Sequence, residues 1–256
     1  MTFSIRRLAE AGFDVAKVFL RLLRHSIYPE RCVACGLTLF AKSSGCLCLE
    51  CAYGMPLLPE KSCPRCAAPP MINSEAPCPD CNGVGFSFAS AAAPFLYAKA
   101  AKALVKDLKY NHNKQLAAPM AESMLPLALQ LAEKHKLNRL IPAPIHRKRL
   151  QQRGYNQAEL LARELSVAMK LPLLSKVLTR LTYVKAQVKL NREERKINLA
   201  NAFGIDKKQA LPPASRILFI DDIITTCATA DYASRALLNA GAEIVVVLAF
   251  ARTRYN

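Results

Sequence analysis

The sequence predicts an α/β protein built on a parallel sheet, preceded by a small cysteine-rich domain and an N-terminal helix. Residues 217–220 (Ile-Leu-Phe-Ile) and 243–250 are nearly unbroken apolar runs, the pattern of strands buried on both faces of a sheet. Residues 230–239 between them carry helical periodicity and are followed by Gly241, a C-terminal capping residue, so strand, helix and strand form a βαβ unit. Nine of the ten cysteines are confined to residues 31–85, a segment short and rich in Pro and Gly that has little core of its own.

Taken in order, residues 1–30 read as an amphipathic helix, with Ile5, Leu8, Phe13, Ala16, Phe19, Leu20 and Leu23 at helical spacing among basic residues. Such a helix docks either on the protein's own body or on a membrane surface. Residues 31–88 form the cysteine domain. Its pairs Cys32-x2-Cys35, Cys48-x2-Cys51, Cys63-x2-Cys66 and Cys78-x2-Cys81 each set two thiolates on one side of a metal, so four pairs make two tetrahedral Zn2+ sites. Pairing by neighbours or interleaved pairing both satisfy the spacing, and Cys46 is a spare that stands in for Cys48 in a C-x4-C variant. Structural zinc then supplies most of this domain's folding energy.

Residues 89–256 form the second domain. Residues 89–93 read as a small-residue joint and 95–97 as a strand. The next helix buries Ala101, Leu104, Val105 and Leu108, while Lys99, Lys102, Lys106 and Lys109 recur as one exposed stripe continued by Tyr110, His112 and Lys114. That stripe is either a solvated face or a track for a phosphate backbone, and Lys102, Lys106 and Lys109 are its DNA-binding candidates. A helix over residues 115–135 tolerates Pro119 in its first turn. A strand over 138–141 runs into Pro142-Ala143-Pro144 and then a cationic loop containing Arg147, Arg149 and Arg153. Asn156, with Glu159 three residues on, opens a helix ending at Lys170 in the manner of a capping box. Residues 185–195 are too polar for core and read as a hood over a ligand cleft, with Arg192 and Arg195 able to close on a pyrophosphate or a DNA backbone.

The formal charge of +17 from 36 basic and 19 acidic residues favours polyanionic partners, nucleic acid first and anionic lipid second. Two zinc–tetrathiolate sites, each of net charge roughly −2, would leave about +13. The longest apolar run, residues 244–251, falls far short of the ~20 residues that span a bilayer. Asp14 and Lys17 interrupt the N-terminal apolar stretch, so no secretory signal is expected. These features imply a cytoplasmic protein, with the basic N-terminal helix as a route onto the inner face of the membrane. That compartment favours metal over disulfides for the cysteines.

The chemistry concentrates after residue 220. Asp221 and Asp222 stand at the C-terminal end of a strand, where open α/β sheets bind ligands. Thr225, Thr226, Cys227, Ala228 and Thr229 then lead into a helix, offering hydroxyls and backbone N–H groups to a phosphate. An Asp-Asp strand end that only caps a helix is the plainer alternative. Arg147, Arg149 and Arg153, on a loop between strand and helix, suit a second phosphate group through charge and forked hydrogen bonds, against the plainer reading of a solvated basic loop.

Residues 220–229, Ile-Asp-Asp-Ile-Ile-Thr-Thr-Cys-Ala-Thr, resemble the phosphoribosyl-pyrophosphate (PRPP) motif of type I phosphoribosyltransferases. The resemblance implies a phosphoribosyltransferase-type sheet in which Asp221 and Asp222 hold ribose hydroxyls or Mg2+ and residues 225–229 hold the 5′-phosphate. One departure is Cys227, where that family usually has glycine; a Cβ there costs about 1–2 kcal/mol if φ must be positive. Residues 140–160, beginning Leu-Ile-Pro-Ala-Pro-Ile-His-Arg-Lys-Arg, resemble the central signature of the ComF family of competence proteins, also called GntX-like. Gln187, Arg192, Arg195, Asn198 and Phe203 match that family's next block. This resemblance covers the chain from about residue 28 onward. It implies a zinc-ribbon domain on a phosphoribosyltransferase-like domain, used in natural transformation to handle incoming single-stranded DNA beside a DNA helicase and a recombination mediator. The alternative is a working phosphoribosyltransferase acting on an unidentified base or amine, with Asp221 and Asp222 as its catalytic residues; a third reading is a zinc-ribbon adapter on an inactive enzyme fold.

Overall fold

The computed structural model describes residues 30–39, 46–70, 78, 81, 85–181, 202–206 and 209–254. The chain forms two compact units, Met1–Gly54 and Met55–Asn256. The expected N-terminal helix and the hood with Arg192 and Arg195 lie outside the described residues.

In the first unit a short helix, α1 (Leu49–Tyr53), starts at Cys48, whose sulfur accepts from the Cys51 amide at 3.5 Å. Cys32, Leu39 and Cys48 form its small buried core.

The second unit is built on a main sheet, parallel throughout, of β1 (Ser90–Ala92), β2 (Phe95–Leu96), β3 (Arg139–Pro142), β6 (Arg216–Ile224) and β7 (Ile244–Arg252). Its order is β1-β7-β6-β3, with β2 continuing β1's edge along β7. The joint expected over residues 89–93 is therefore strand: its small side chains let β1 lie against β7 under cover. Strands β6 and β7 sit centrally, which explains their apolar runs. Ile217, Phe219, Val245 and Val247 pack with Ala233 and Leu237 of the helix that joins the two strands, α6 (Ala228–Asn239). By strand alternation Leu218, Ile220, Val246 and Leu248 are buried on the other face. There α3 (Ala117–His135) and α5 (Gln157–Met169) pack on each other and on the central strands. Gly241, at φ +98°, ends α6 in the left-handed region as expected.

Two further elements differ from expectation. The cationic segment is a helix, α4 (Arg147–Arg153), between a capping His146 ring nitrogen and Gly154 at φ +74°. Its Arg, Lys, Leu and Gln residues are all good helix formers. The other is a short antiparallel pair, β4 (Leu178–Arg180) with β5 (Phe203–Ile205), which joins the two ends of the segment holding the expected hood.

Candidate functional site

Three chain segments converge at the C-terminal edge of the sheet. Strand β6 runs on through both acids to Ile224, with Asp221 paired in register to Ala249. The Ala143 amide donates to Ile220 O at 2.8 Å, carrying the β3 edge past Pro142 until it lies beside Asp221. Asn156 fixes the third segment. Its Oδ1 caps the Ala158 amide at 3.1 Å while its Nδ2 donates to Ala143 O at 2.9 Å, so one side chain starts α5 and anchors the end of β3. Glu159 does not serve as the reciprocal half of a capping box but pairs with Arg163 at 3.2 Å. Tyr155 ties this corner to α2 (Lys99–Tyr110) by donating from its hydroxyl to Leu108 O.

The result is a cleft of about 320 Å³ whose lining includes Asp221, Asp222, Thr225 and Thr229 together with Lys109, Arg149, Arg153 and Arg180. A second hollow of about 380 Å³ shares Lys109, Tyr110, Arg149 and Arg153 and adds His112 and Gln152. The exposed Tyr110 ring lies under the Arg153 guanidinium at 5.1 Å. Four cations against two carboxylates make the first cleft, the one at the acid pair, a net anion receptor.

The acid pair is tightly held. Asp222 is 7 % exposed and forms an ion pair with Lys109, while the Asp222 amide donates to Asp221 Oδ1 at 2.8 Å. Burial, and then the neighbouring Asp222 charge, push the Asp221 carboxyl well above the usual carboxylate range. Burial draws the Lys109 amine down, but the charge and hydrogen bond of Asp222 outweigh it and leave that amine above its ordinary value. Burial and the nearby Arg149 lower the Arg180 guanidinium, with Asp221 opposing them.

Lys109 corrects the reading of an exposed lysine stripe. Lys99, Lys102 and Lys106 face solvent, but Lys109, one turn further on, is turned inward to Asp222. Arg149 and Arg153 reach the cleft; Arg147, at the exposed start of α4, does not line it. Within the loop Thr225 and Thr229 line the cleft, and Thr226 Oγ1 accepts from the Ala228 amide at 3.4 Å. Cys227 takes the left-handed conformation (φ +63°, ψ −3°) that glycine adopts without strain, and its side chain is buried. Arg180 was not anticipated: it follows an unremarkable segment, and only the return of β4 beside the cleft gives it a role.

The cysteines pair by neighbours. Cys32, Cys35, Cys48 and Cys51 form one group and Cys63, Cys66, Cys78 and Cys81 another, with the sulfurs of each group within 4.8 Å of one another. Sulfur separations of 3.7 Å (Cys35–Cys48), 3.6 Å (Cys63–Cys81) and 3.5 Å (Cys66–Cys78) are close to the edge, about 3.8 Å, of a tetrahedron with Zn–S bonds of ~2.3 Å. Burial resists ionisation of Cys32, yet the backbone amides around it, that of Cys48 first, bring its thiol down to about 6, while burial and the neighbouring thiols push Cys51 of the same group up. Both groups fit structural zinc. Each first knuckle turns back through a residue of positive φ, Gly36 in one group and Ala67 in the other. Cys46 belongs to neither group. The second group lies in the larger unit, where Cys66 shares the main core with Phe88, Phe219 and Cys227.

Comparison with known proteins agrees with this layout. A double zinc ribbon domain matches residues 23–82. "Competence protein ComFC" of Streptococcus pneumoniae is 30% identical over 238 residues, which cover 87% of this chain and 100% of that protein. The chain belongs to the ComF family. Its similarity to "Competence protein F" of Haemophilus influenzae is 32% identity over 153 residues, covering 58% of this chain and 66% of that relative. "DNA utilization protein YhgH" of Escherichia coli is 29% identical over 195 residues, 75% of this chain and 84% of that protein. Among solved structures, the Bacillus subtilis glutamine PRPP amidotransferase overlaps at TM-score 0.34 and 16% identity, over 52% of this chain and 26% of that one. Adenine phosphoribosyltransferase from Saccharomyces cerevisiae gives TM-score 0.33 and 14% identity, over 52% of this chain and 68% of that one. The α/β class rests on the parallel sheet itself rather than on these partial overlays. Among the described residues no helix is long and apolar enough to cross a membrane.

Proposed function

We propose that this ComF-family protein acts in natural competence, handling incoming single-stranded DNA on the cytoplasmic side through a cleft that binds a pyrophosphorylated sugar. The observation that carries this reading is the meeting of an acid pair, a hydroxyl-bearing loop before a helix and four cations in one cleft at the sheet's C-terminal edge. PRPP suits that arrangement. Its ribose hydroxyls would face Asp221 and Asp222, its 5′-phosphate the loop 225–229, and its pyrophosphate Arg149 and Arg153, with Arg147 further out. Mg2+ would partner the pyrophosphate and the acids. Lys109 is paired with Asp222, and the bound ligand would draw its amine from Asp222 to a phosphate oxygen.

DNA contact is assigned to the exposed Lys102 and Lys106 and, beyond the inward-turned Lys109, to the hollow beside Tyr110, where an aromatic ring and two arginines suit a base and its phosphates. Arg192 and Arg195 complete the assignment from sequence. A helicase and a recombination mediator are the protein partners that the family relationship suggests, and the basic N-terminal helix is the proposed contact with the membrane's inner face.

The test is a transformation assay with paired variants. Asp221→Ala/Asp222→Ala removes ligand chemistry, and Lys102→Glu/Lys106→Glu reverses the exposed lysines. Both are expected to lower transformation, and oligonucleotide binding by fluorescence anisotropy is expected to weaken steeply with salt. Wild-type protein that fails to bind single-stranded oligonucleotides at low salt would overturn the DNA assignment. An active phosphoribosyltransferase is the second reading, favoured by the intact acid pair among four cations. Its catalysis would rest on positioning and charge stabilisation at the sugar. The left-handed Cys227, where glycine is usual, counts against an efficient catalyst in that reading and leaves binding open.

A further inference from the structure

We propose that the Cys63–Cys66–Cys78–Cys81 cluster is the brace of the loop over residues 225–229, and that Arg252 and Cys227 are the positioning residues that connect them. This rests on the reading of that loop as a phosphate site. It gives the second zinc cluster a duty inside the ligand-binding unit rather than in docking.

Arg252 closes β7 and is fully buried, at 0% exposure. Its Nε donates to Cys66 O at 3.1 Å, and its Nη1 donates to the carbonyls of Thr225, Ile224 (3.4 Å) and Thr253 (3.2 Å). One guanidinium thus spans from the Cys63–Cys66 knuckle to the first residue of the loop. The loop returns to the same atom from its other side: Cys227 Sγ donates to Cys66 O at 3.8 Å. A single carbonyl therefore receives both the arginine that grips Thr225 and the side chain of the left-handed residue that opens α6.

The charges explain why such a brace needs metal. A buried guanidinium is costly unless an opposite charge and hydrogen-bond acceptors meet it. Four thiolates around zinc carry a net charge of roughly −2. Cys66 offers its carbonyl to Arg252 and its sulfur to that cluster. The knuckle backbone is further pinned to the sheet, because the Ala91 amide donates to Arg65 O at 2.8 Å. Cys227 also accounts for a side chain where glycine would be unstrained: its sulfur fills the space against the knuckle and anchors a loop that glycine would leave free. The first cluster lies in the other compact unit, with its own core of Cys32, Leu39 and Cys48.

Hydrogen–deuterium exchange of the zinc-loaded full chain, read by mass spectrometry on the peptide spanning residues 221–230, tests this without any ligand. Metal analysis first confirms that Cys81→Ser and Cys35→Ser each lose one zinc. Cys81→Ser should raise loop exchange about fivefold or more while β6 residues 217–220 stay protected, and Cys35→Ser should leave the loop as in wild type. Arg252→Lys should match Cys81→Ser. If that variant does not fold, Cys227→Ala, which keeps the buried guanidinium, should still raise loop exchange. Unchanged loop exchange in a Cys81→Ser protein lacking its zinc, or an equal rise in Cys35→Ser, would overturn the proposal. PRPP titration in parallel separates the two readings: a wild type that does not bind PRPP refutes the ligand assignment, while the exchange result still decides the brace.

Discussion

Lys109→Met removes the cation from beside two carboxylates while keeping an apolar stem of similar length. Breaking a fully buried ion pair by deleting one partner costs about 3–5 kcal/mol, because the other charge is left unpaired. Here the Lys109 and Asp222 side chains retain 21% and 10% exposure, which brings the expected cost to about 2–3 kcal/mol. In a domain of roughly 200 residues about 1 kcal/mol moves Tm by roughly 2–4 °C, so a fall of about 4–12 °C is expected near neutral pH. The pH dependence carries its own sign. Asp221 is held well above the usual carboxylate range, so between its unfolded and folded values the native state binds more protons than the unfolded chain. Stability therefore falls as pH rises through that window, and Lys109 offsets the fall. Without Lys109 the fall deepens, and the Tm gap between variant and wild type should widen from about pH 5 to about pH 8. Thermal unfolding followed by dye fluorescence, on zinc-loaded protein, reads both quantities. Equal Tm values at both pH values, or a gap that widens toward acid, would refute the account of the acid pair.

Other expectations follow from the same geometry. Asp221→Asn should raise the Tm of the ligand-free protein at neutral pH, since it removes a carboxylate that burial opposes, and should weaken binding of Mg2+-PRPP; thermal shift with and without ligand checks both. Arg153→Ala should weaken inorganic pyrophosphate binding about tenfold or more, the worth of one charge-assisted contact, while Arg147→Ala changes it little; competition titration distinguishes them. Metal analysis of purified protein should find two zinc ions per chain, and a strong chelator should unfold the first unit, followed by loss of its far-ultraviolet circular dichroism.

The parts of this molecule that were legible in the sequence are those encoded locally. Residues 217–220 and 244–250 announce central strands because burial on both faces leaves no polar position. The C-x2-C pairs announce metal sites because each knuckle is complete within four residues. Asn156 is recognisable as a helix start because its cap is made two residues away. Lys109 was not legible: helical spacing puts it on one stripe with Lys99, Lys102 and Lys106, and only the sheet edge beside the last turn of α2 distinguishes it. The helix α4 was hidden in plain view, since its residues favour helix but their charge suggested a loop. Arg252 lies at a strand end; that it is buried beneath a cysteine knuckle depends on contacts 186 residues apart in the chain. Pairing of the cysteine knuckles by neighbours likewise required coordinates, because spacing permits either arrangement.

Calorimetric titration of zinc-loaded protein with PRPP in the presence of Mg2+ bears on the whole account. Saturable binding is expected in the wild type, with loss of at least about tenfold in affinity for Asp222→Asn, a loss of about 1.4 kcal/mol. No binding heat up to roughly 1 mM PRPP, or an Asp222→Asn protein that binds as tightly as wild type, would contradict it.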